Sequence, residues 1–166
     1  MRGDQLQFSE GENGKPRLKS FVSQGSLEFN LSHSHEEAVI AIARRKVVGV
    51  DIEFVKKDFA FLDVAKHFFT DREVTALTAL PPILQRRSFY KCWTSKEAFL
   101  KAKGVGLSGA LDEVEITCDA GNRVEVHAAV PGWWLTAIDV CEGYESALVV
   151  EGGAAPVLGY QWREIL

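Results

Sequence analysis

Hydrophobic and polar side chains alternate over residues 48–53, where a valine or isoleucine occupies every second position. This period of two predicts a β-strand, because successive side chains of a strand point to opposite faces. One face is apolar and is expected to contact a core, whereas the other carries Gly49, Asp51 and Glu53. Two carboxylates on one face repel each other unless a cation or solvent separates them, and the glycine leaves room for a ligand. Taken alone, such an acidic pair more often marks a solvated face than a site.

The period changes to that of a helix further along the chain. Helix-forming residues run from about Ile83 to Lys103, with a proline pair suited to the first turn and Gly104 as a stop. Residues three and four apart share a helix face. One such stripe consists of Tyr90, Trp93, Thr94, Glu97 and Lys101. This mixture fits neither a wholly solvated nor a wholly buried face. A Glu–Lys pair four residues apart is, by itself, a common ion pair that stabilises an exposed helix.

The remaining pattern predicts an α+β fold in which a mostly antiparallel sheet packs with this long helix. A short strand at Leu27–Leu31 precedes two segments, Glu37–Arg44 and Lys46–Phe54, that are expected to pair with each other. A helix over Ala60–Phe69 is followed by a second one, which a Thr-x-x-Glu capping box opens. After the long helix, four further strands are expected, at about residues 113–118, 123–129, 133–140 and 146–150.

Composition narrows the functional classes. The hydrophobic share of 46% and the charged share of 25% are ordinary for a globular protein. A net charge of −4 argues against a nucleic-acid binder, which normally carries a strong basic field. No apolar run approaches the roughly 18 residues of a membrane span, and the polar N-terminus has no signal region, so we expect no membrane partner and a cytoplasmic location. The scattered cysteines fit neither a disulfide framework nor a zinc site.

Two motifs give the chain a specific resemblance. Residues 48–51 (Val-Gly-Val-Asp) and 93–101 (Trp-Thr-Ser-Lys-Glu-Ala-Phe-Leu-Lys) resemble the two signature motifs of the 4′-phosphopantetheinyl transferase superfamily. Glu53, two residues after the aspartate, is typical of the Sfp-type branch. Residues 14–18 (Gly-Lys-Pro-Arg-Leu) and 30–34 (Asn-Leu-Ser-His-Ser) are similar to two further elements of that branch. The resemblance implies the α+β fold of this superfamily.

The resemblance also implies a transferase. Members of this family move the 4′-phosphopantetheine arm of coenzyme A onto a serine of an acyl or peptidyl carrier protein and release adenosine 3′,5′-bisphosphate. Asp51, Glu53 and Glu97 would hold Mg²⁺, and Mn²⁺ is a second suitable ion because both accept oxygen ligands. Glu97 would also be the base that takes the proton of the carrier serine, and Asp51 would belong to the catalytic group. Lys96 is a second candidate for proton transfer or phosphate contact.

The same resemblance assigns the binding of coenzyme A. Lys101 would grip its pyrophosphate, and His33, with Ser32 beside it, would bind a phosphate. Lys15 and Pro16 would line the adenine and 3′-phosphate end. Carrier proteins of fatty-acid, polyketide and nonribosomal-peptide pathways all present the same serine, so the sequence does not choose among them.

The chain departs from the Sfp-type pattern in one respect. Members of that branch consist of two similar halves, and most of the N-terminal half has no counterpart here. Residues 1–24 are then expected to be a remnant of the first lobe, residues 25–151 the catalytic domain, and residues 152–166 a tail. Three explanations stay open: a truncated product, a homo-oligomer that covers the exposed face, or a dispensable first half. The alternative function is a catalytically weak module that binds coenzyme A or a carrier protein.

Overall fold

The structure, a computed structural model, describes residues 6–11, 14–19, 27–106, 111, 114–118, 124–126 and 131–162. The helices of these residues are α1 (Phe61–Phe68), α2 (Asp71–Ala79) and α3 (Pro82–Lys103). The strands are β1 (Phe8–Glu10), β2 (Pro16–Leu18), β3 (Leu27–Ser34), β4 (Glu37–Arg44), β5 (Val48–Phe54), β6 (Ile116–Cys118), β7 (Val124–Val126), β8 (Trp133–Ala137) and β9 (Tyr144–Glu151). The α+β prediction is confirmed. The predicted domain boundary between residues 24 and 25, and most of the strand predicted at 123–129, lie outside the described residues.

Local signals predicted the helices well. α3 ends at Lys103 as expected, and Gly104 adopts the left-handed conformation, with a φ of 72°, that ends many helices. The capping box before α2 is also present: Thr70 Oγ1 accepts a hydrogen bond from the Glu73 amide, and the Glu73 side chain accepts one from the Thr70 amide. Among the described residues, no helix is both long enough and apolar enough to cross a membrane.

Strand pairing differs from the expectation. β3 and β4 form an antiparallel hairpin, whereas β5 pairs with β9, so the prediction that residues 37–44 pair with residues 46–54 is wrong. A two-residue turn, in which His35 has a φ of 52°, keeps β4 beside β3. Arg45, with a φ of 58°, then redirects the chain before β5 begins. Alternation in the sequence predicts that strands exist but does not identify their partners.

β5 lies between two packed layers. It belongs to a sheet with the strand order β5–β9–β8. Helix α3 covers one face of this sheet and buries Ala147 and Val149 of β9. Strand β4 covers the other face, where Val39, Ala41 and Ala43 pack against a smaller core. Because both faces are covered, β5 is buried over most of its length.

Three side chains of β3 bind the backbone of β5. Alternate β3 residues accept hydrogen bonds from alternate N–H groups of β5. The pairs are Asn30 with Val50 (2.8 Å), Ser32 with Ile52 (3.3 Å) and Ser34 with Phe54 (3.1 Å). These bonds satisfy backbone donors that would otherwise be costly to bury, and they fix the position of β3 along β5.

Gly49 is the point of closest approach between β5 and α3. A Cβ atom at this position would lie 2.5 Å from the Ala102 nitrogen and closer still to the Ala98 carbonyl oxygen. The expectation that Gly49 leaves room for a ligand is therefore wrong, because the backbone of α3 occupies that room. The glycine instead allows a helix and a strand to pack backbone against backbone.

We expect Gly49→Ala to destabilise the protein by about 1–3 kcal/mol or more, because the added methyl group meets helix backbone that cannot move aside as a side chain could. Urea unfolding measures this change. Gly153→Ala is the matched control, since a Cβ there would have nothing within 4 Å. Equal stability of the two variants would contradict the close contact.

Candidate active site

The contact at Gly49 brings one face of α3 over the acidic face of β5. Glu97 and Lys101 lie one helical turn apart on α3. Asp51 and Glu53 follow Gly49 on β5 at the two-residue spacing of a strand face. The charges of Asp51, Glu53 and Lys101 all act on the Glu97 carboxyl, so the predicted carboxylates and Lys101 share one neighbourhood.

Asp51 is the most buried carboxylate of this group, with 3% of its surface exposed. Its Oδ1 atom accepts hydrogen bonds from Lys101 Nζ at 2.6 Å and from Ser32 Oγ at 2.8 Å. Lys101 Nζ also donates to Ser32 Oγ at 2.8 Å. An unpaired buried carboxylate would be costly, so the contacts with Lys101 and Ser32 favour the charged form of Asp51.

Ser34 is a site residue that the sequence pattern did not reveal. Its Oγ donates to Glu53 Oε2 at 2.8 Å, as Ser32 Oγ does to Asp51. In both pairs the serine precedes the acid by 19 residues. This equal spacing in the sequence could have indicated the two pairs, but it can be interpreted only once β3 is known to lie against β5.

The pKa of Glu97 is raised to about 7. Burial of the carboxyl is the largest cause, and the negative charges of Asp51 and Glu53 also raise the pKa, whereas the positive charge of Lys101 lowers it. Burial also raises the pKa of Asp51, although the nearby Lys101 ammonium counteracts the change. Glu97 therefore exchanges a proton near neutral pH, where an ordinary glutamate would be fully ionised.

Two oxygens of the site are buried without a hydrogen-bond partner among the described residues: Asp51 Oδ2 and Glu97 Oε1. Such atoms are costly to bury and suit a hard cation that prefers carboxylate oxygens. Within the described part of the chain, no three His, Cys, Asp or Glu side chains already stand in an arrangement that could hold a metal ion. The two unpartnered carboxylate oxygens have the donor chemistry that Mg²⁺ prefers, and the Lys101 ammonium occupies the position beside Asp51 Oδ1.

The structure does not place the Lys96 ammonium beside Asp51, Glu53 or Glu97. Its Nζ pairs with Glu73 Oε1 of α2 at 2.8 Å and donates to the carbonyl oxygens of Leu111 (2.5 Å) and Val114 (2.8 Å). The side chains of Lys96 and Glu73 are each only 1% exposed. A lysine held in this way fastens α3 to α2 and to the segment before β6, and its position gives no support to a role in proton transfer.

Lys15 and Pro16 lie beside the Gly49 contact. Lys15 Nζ donates to the carbonyl oxygens of Val48 at 3.2 Å and Ala102 at 3.1 Å, and burial lowers its pKa. Pro16 follows in β2, opposite Glu10 of β1. Lys15 therefore fastens the β1–β2 hairpin to both β5 and α3.

Strand alternation separates His33 from Ser32. Ser32 is buried against β5, whereas His33 is exposed and its neighbours along β3 alternate in the same way. The structure brings Ser32 to the carboxylates and does not bring His33 to them. A phosphate contact by His33 stays a prediction.

The raised pKa of Glu97 predicts how stability depends on pH. Between about pH 4.5 and 7 the folded protein keeps a proton on Glu97 that the unfolded chain has lost, so the free energy of unfolding should fall as the pH rises. Glu97→Gln should remove this decline and stabilise the metal-free protein at pH 8. Urea unfolding in EDTA at several pH values measures the effect, with Glu36→Gln as an exposed control. An unchanged slope in Glu97→Gln would show that the pKa of Glu97 is not raised in the folded protein.

Named relatives are similar to most of this chain. The chain is 33% identical over 148 residues to the 4′-phosphopantetheinyl transferase HetI of Nostoc sp., which covers 89% of this chain and 62% of HetI. It is 32% identical over 145 residues to the 4′-phosphopantetheinyl transferase Sfp of Bacillus subtilis, which covers 86% of this chain and 62% of Sfp. The chain therefore spans 62% of the length of these two relatives.

A solved structure shares the fold. The holo-(acyl-carrier-protein) synthase from Bacillus anthracis, in complex with CoA (3′,5′-ADP), superposes with a TM-score of 0.52 at 20% identity. The match covers 65% of this chain and 98% of that one. A family model of the 4′-phosphopantetheinyl transferase superfamily matches residues 47–150, which include Asp51, Glu53, Glu97 and Lys101. Because the family model matches more than half of the chain, the chain belongs to the 4′-phosphopantetheinyl transferase superfamily.

Proposed function

We propose that the protein transfers the 4′-phosphopantetheine arm of coenzyme A to a serine of an acyl or peptidyl carrier protein, in a Mg²⁺-dependent reaction. The observation that carries this proposal is the grouping of Asp51, Glu53 and Glu97 with Lys101, in which two buried carboxylate oxygens lack a partner among the described residues. Such a group suits a divalent cation together with a diphosphate. Membership of the family supports the same conclusion.

The carboxylates would bind the metal ion, and Lys101 would bind the substrate. Asp51, Glu53 and Glu97 would hold Mg²⁺, for which Mn²⁺ could substitute. When bound, the ion supplies charge stabilisation at the leaving phosphate. Lys101, whose side chain is 31% exposed in the free protein, would hold the pyrophosphate of coenzyme A. Phosphoryl transfer depends mainly on such positioning and charge stabilisation.

Glu97 would accept the proton of the carrier serine. In the metal-free protein its pKa is raised to about 7, near the pH at which a general base is most effective. The serine oxygen forms a bond to the phosphorus on the pantetheine side, and the bond from that phosphorus to the bridging oxygen breaks. The leaving phosphate departs on adenosine 3′,5′-bisphosphate, and no covalent enzyme intermediate is needed.

The nucleotide end of coenzyme A would lie toward Lys15 and Pro16. The Lys15 ammonium is partly buried beside Val48 and Ala102, and His33 is kept as a candidate for an outer phosphate. Lys96 is not included, because its ammonium is buried against Glu73. A cytoplasmic location, and the absence of nucleic-acid and membrane partners, remain expectations from the sequence.

A binding-only role is the second candidate, because no three His, Cys, Asp or Glu side chains of the described residues already stand in an arrangement that could hold a metal ion. HetI and Sfp are longer proteins, of which the chain spans 62%. In this role the protein would bind coenzyme A or a carrier protein with weak turnover.

Mass spectrometry of a carrier protein distinguishes these candidates. Incubated with coenzyme A, Mg²⁺ and an apo carrier, the protein should add one phosphopantetheine to the carrier, and EDTA should stop the reaction. Asp51→Ala should abolish transfer, and Glu97→Gln should slow it by about 10²-fold or more because it removes the base. Glu36→Gln, in the exposed β3–β4 turn, is the control.

Wild-type-like transfer by Asp51→Ala or Glu97→Gln would overturn the assignment of these residues. Coenzyme A binding without transfer to any of several carriers would favour the binding-only role.

An apolar face of the β3–β4 hairpin points away from β5. Leu31 is exposed there, and its neighbours Ile40 and Ile42 are more than 60% exposed. Phe8 of β1 extends this face through an edge-on contact with Phe29. Contiguous exposed apolar side chains of this kind usually mark an interaction surface. We propose that a second copy of the chain covers this face in a homo-oligomer.

Light scattering tests the oligomer. The wild-type protein should have the mass of a dimer or a larger assembly, and the double variant Ile40→Glu/Ile42→Glu should be a monomer, because it places charge in the covered face. Ile83→Glu is the matched control, since Ile83 is 88% exposed at the start of α3 and lies outside this face. A monomeric wild-type protein would contradict the proposal.

A further inference from the structure

Lys101 compensates the negative charge of the site in the free protein. Its Nζ lies 2.6 Å from Asp51 Oδ1 and 2.8 Å from Ser32 Oγ. No other ion pair of Asp51 occurs among the described residues. The Lys101 side chain is 31% exposed, so its ammonium stands at the boundary between the buried aspartate and solvent. A flexible four-carbon stem lets such a group move without rearranging the helix.

A divalent cation at Asp51 would meet this ammonium on the same carboxylate. Two positive groups that share one buried carboxylate repel each other strongly, because the surroundings screen charge less than water does. In the free protein, the Lys101 ammonium therefore competes with a divalent cation for Asp51. A diphosphate changes this balance, since it offers Lys101 a new anionic partner within reach of the site.

From these contacts we infer that Lys101 is an exchangeable counter-ion: it occupies Asp51 until a diphosphate draws it away, so that divalent cation and diphosphate bind cooperatively. This inference rests on the proposed function for the assignment of Asp51 as a metal ligand. It adds a coupling between two ligands, and it names the side chain that carries the coupling.

Ser32 would keep Asp51 in place during the exchange. Its hydroxyl donates to Asp51 Oδ1 and accepts from both Lys101 Nζ and the Ile52 amide. A hydroxyl has one donor and two acceptor positions, so all three are used while Lys101 is present. When Lys101 leaves, the bonds to Asp51 and Ile52 remain. The aspartate therefore keeps its orientation while its counter-ion changes.

The affinity of the free protein for Mn²⁺, read from the electron paramagnetic resonance signal of unbound ion, tests the inference. Lys101→Met should bind Mn²⁺ more tightly than the wild type without coenzyme A, by roughly 5-fold or more, the lower range of common coupling effects. Coenzyme A should tighten Mn²⁺ binding in the wild type, and this gain should shrink in Lys101→Met. Lys103→Met is the matched control, since it removes the same charge from the same helix end and should leave the affinity unchanged.

The outcomes separate the inference from the proposed function. Equal or weaker Mn²⁺ binding by Lys101→Met, with coenzyme A still promoting binding, would overturn the counter-ion role and leave the function standing. An absence of Mn²⁺ binding in every variant, with and without coenzyme A, would overturn the metal assignment and both proposals with it. Lys101→Gln repeats the test with a polar side chain of similar length, and urea unfolding confirms that each variant is folded.

Discussion

The absence of a side chain at Gly49 is the constraint on which the site depends. Helix α3 packs so closely on β5 that a Cβ atom would collide with its backbone at Ala98 and Ala102. This contact sets Glu97 and Lys101 of the helix against Asp51 of the strand. A residue without a functional group thus decides where the functional groups meet, and the hairpin of β3 and β4 secures the arrangement from the other side through hydrogen bonds to β5.

The two lysines of the helical motif each form an ion pair, and the two ion pairs have different roles: one is structural and the other belongs to the candidate site. Lys96 is fully buried with Glu73 and has carbonyl oxygens as further partners, so its hydrogen-bonding capacity is used within the fold. Lys101 is partly exposed and pairs with Asp51, whose second oxygen has no hydrogen-bond partner among the described residues. The Lys96 ammonium thus has its hydrogen bonds within the fold, whereas the pair of Lys101 and Asp51 retains a carboxylate oxygen that can bind a ligand.

The sequence predicted the elements better than their relations. The end of α3 and the capping box of α2 depend on neighbouring residues, so local patterns were sufficient for both. The partner of β4 was mispredicted, and the role of Ser34 was not seen, because both depend on which strands meet in space. Lys96 and Glu97 are adjacent in the motif, yet a helix turns about 100° per residue and sends them to different neighbours.

A crystal structure with Mn²⁺ and coenzyme A bound would test the central claim most directly, since the anomalous signal of the ion locates it independently of the protein. The account predicts one strong peak in contact with Asp51 of β5 and Glu97 of α3, with the Lys101 ammonium moved from Asp51 to the diphosphate. An ion bound away from these carboxylates, with Lys101 still on Asp51, would contradict it.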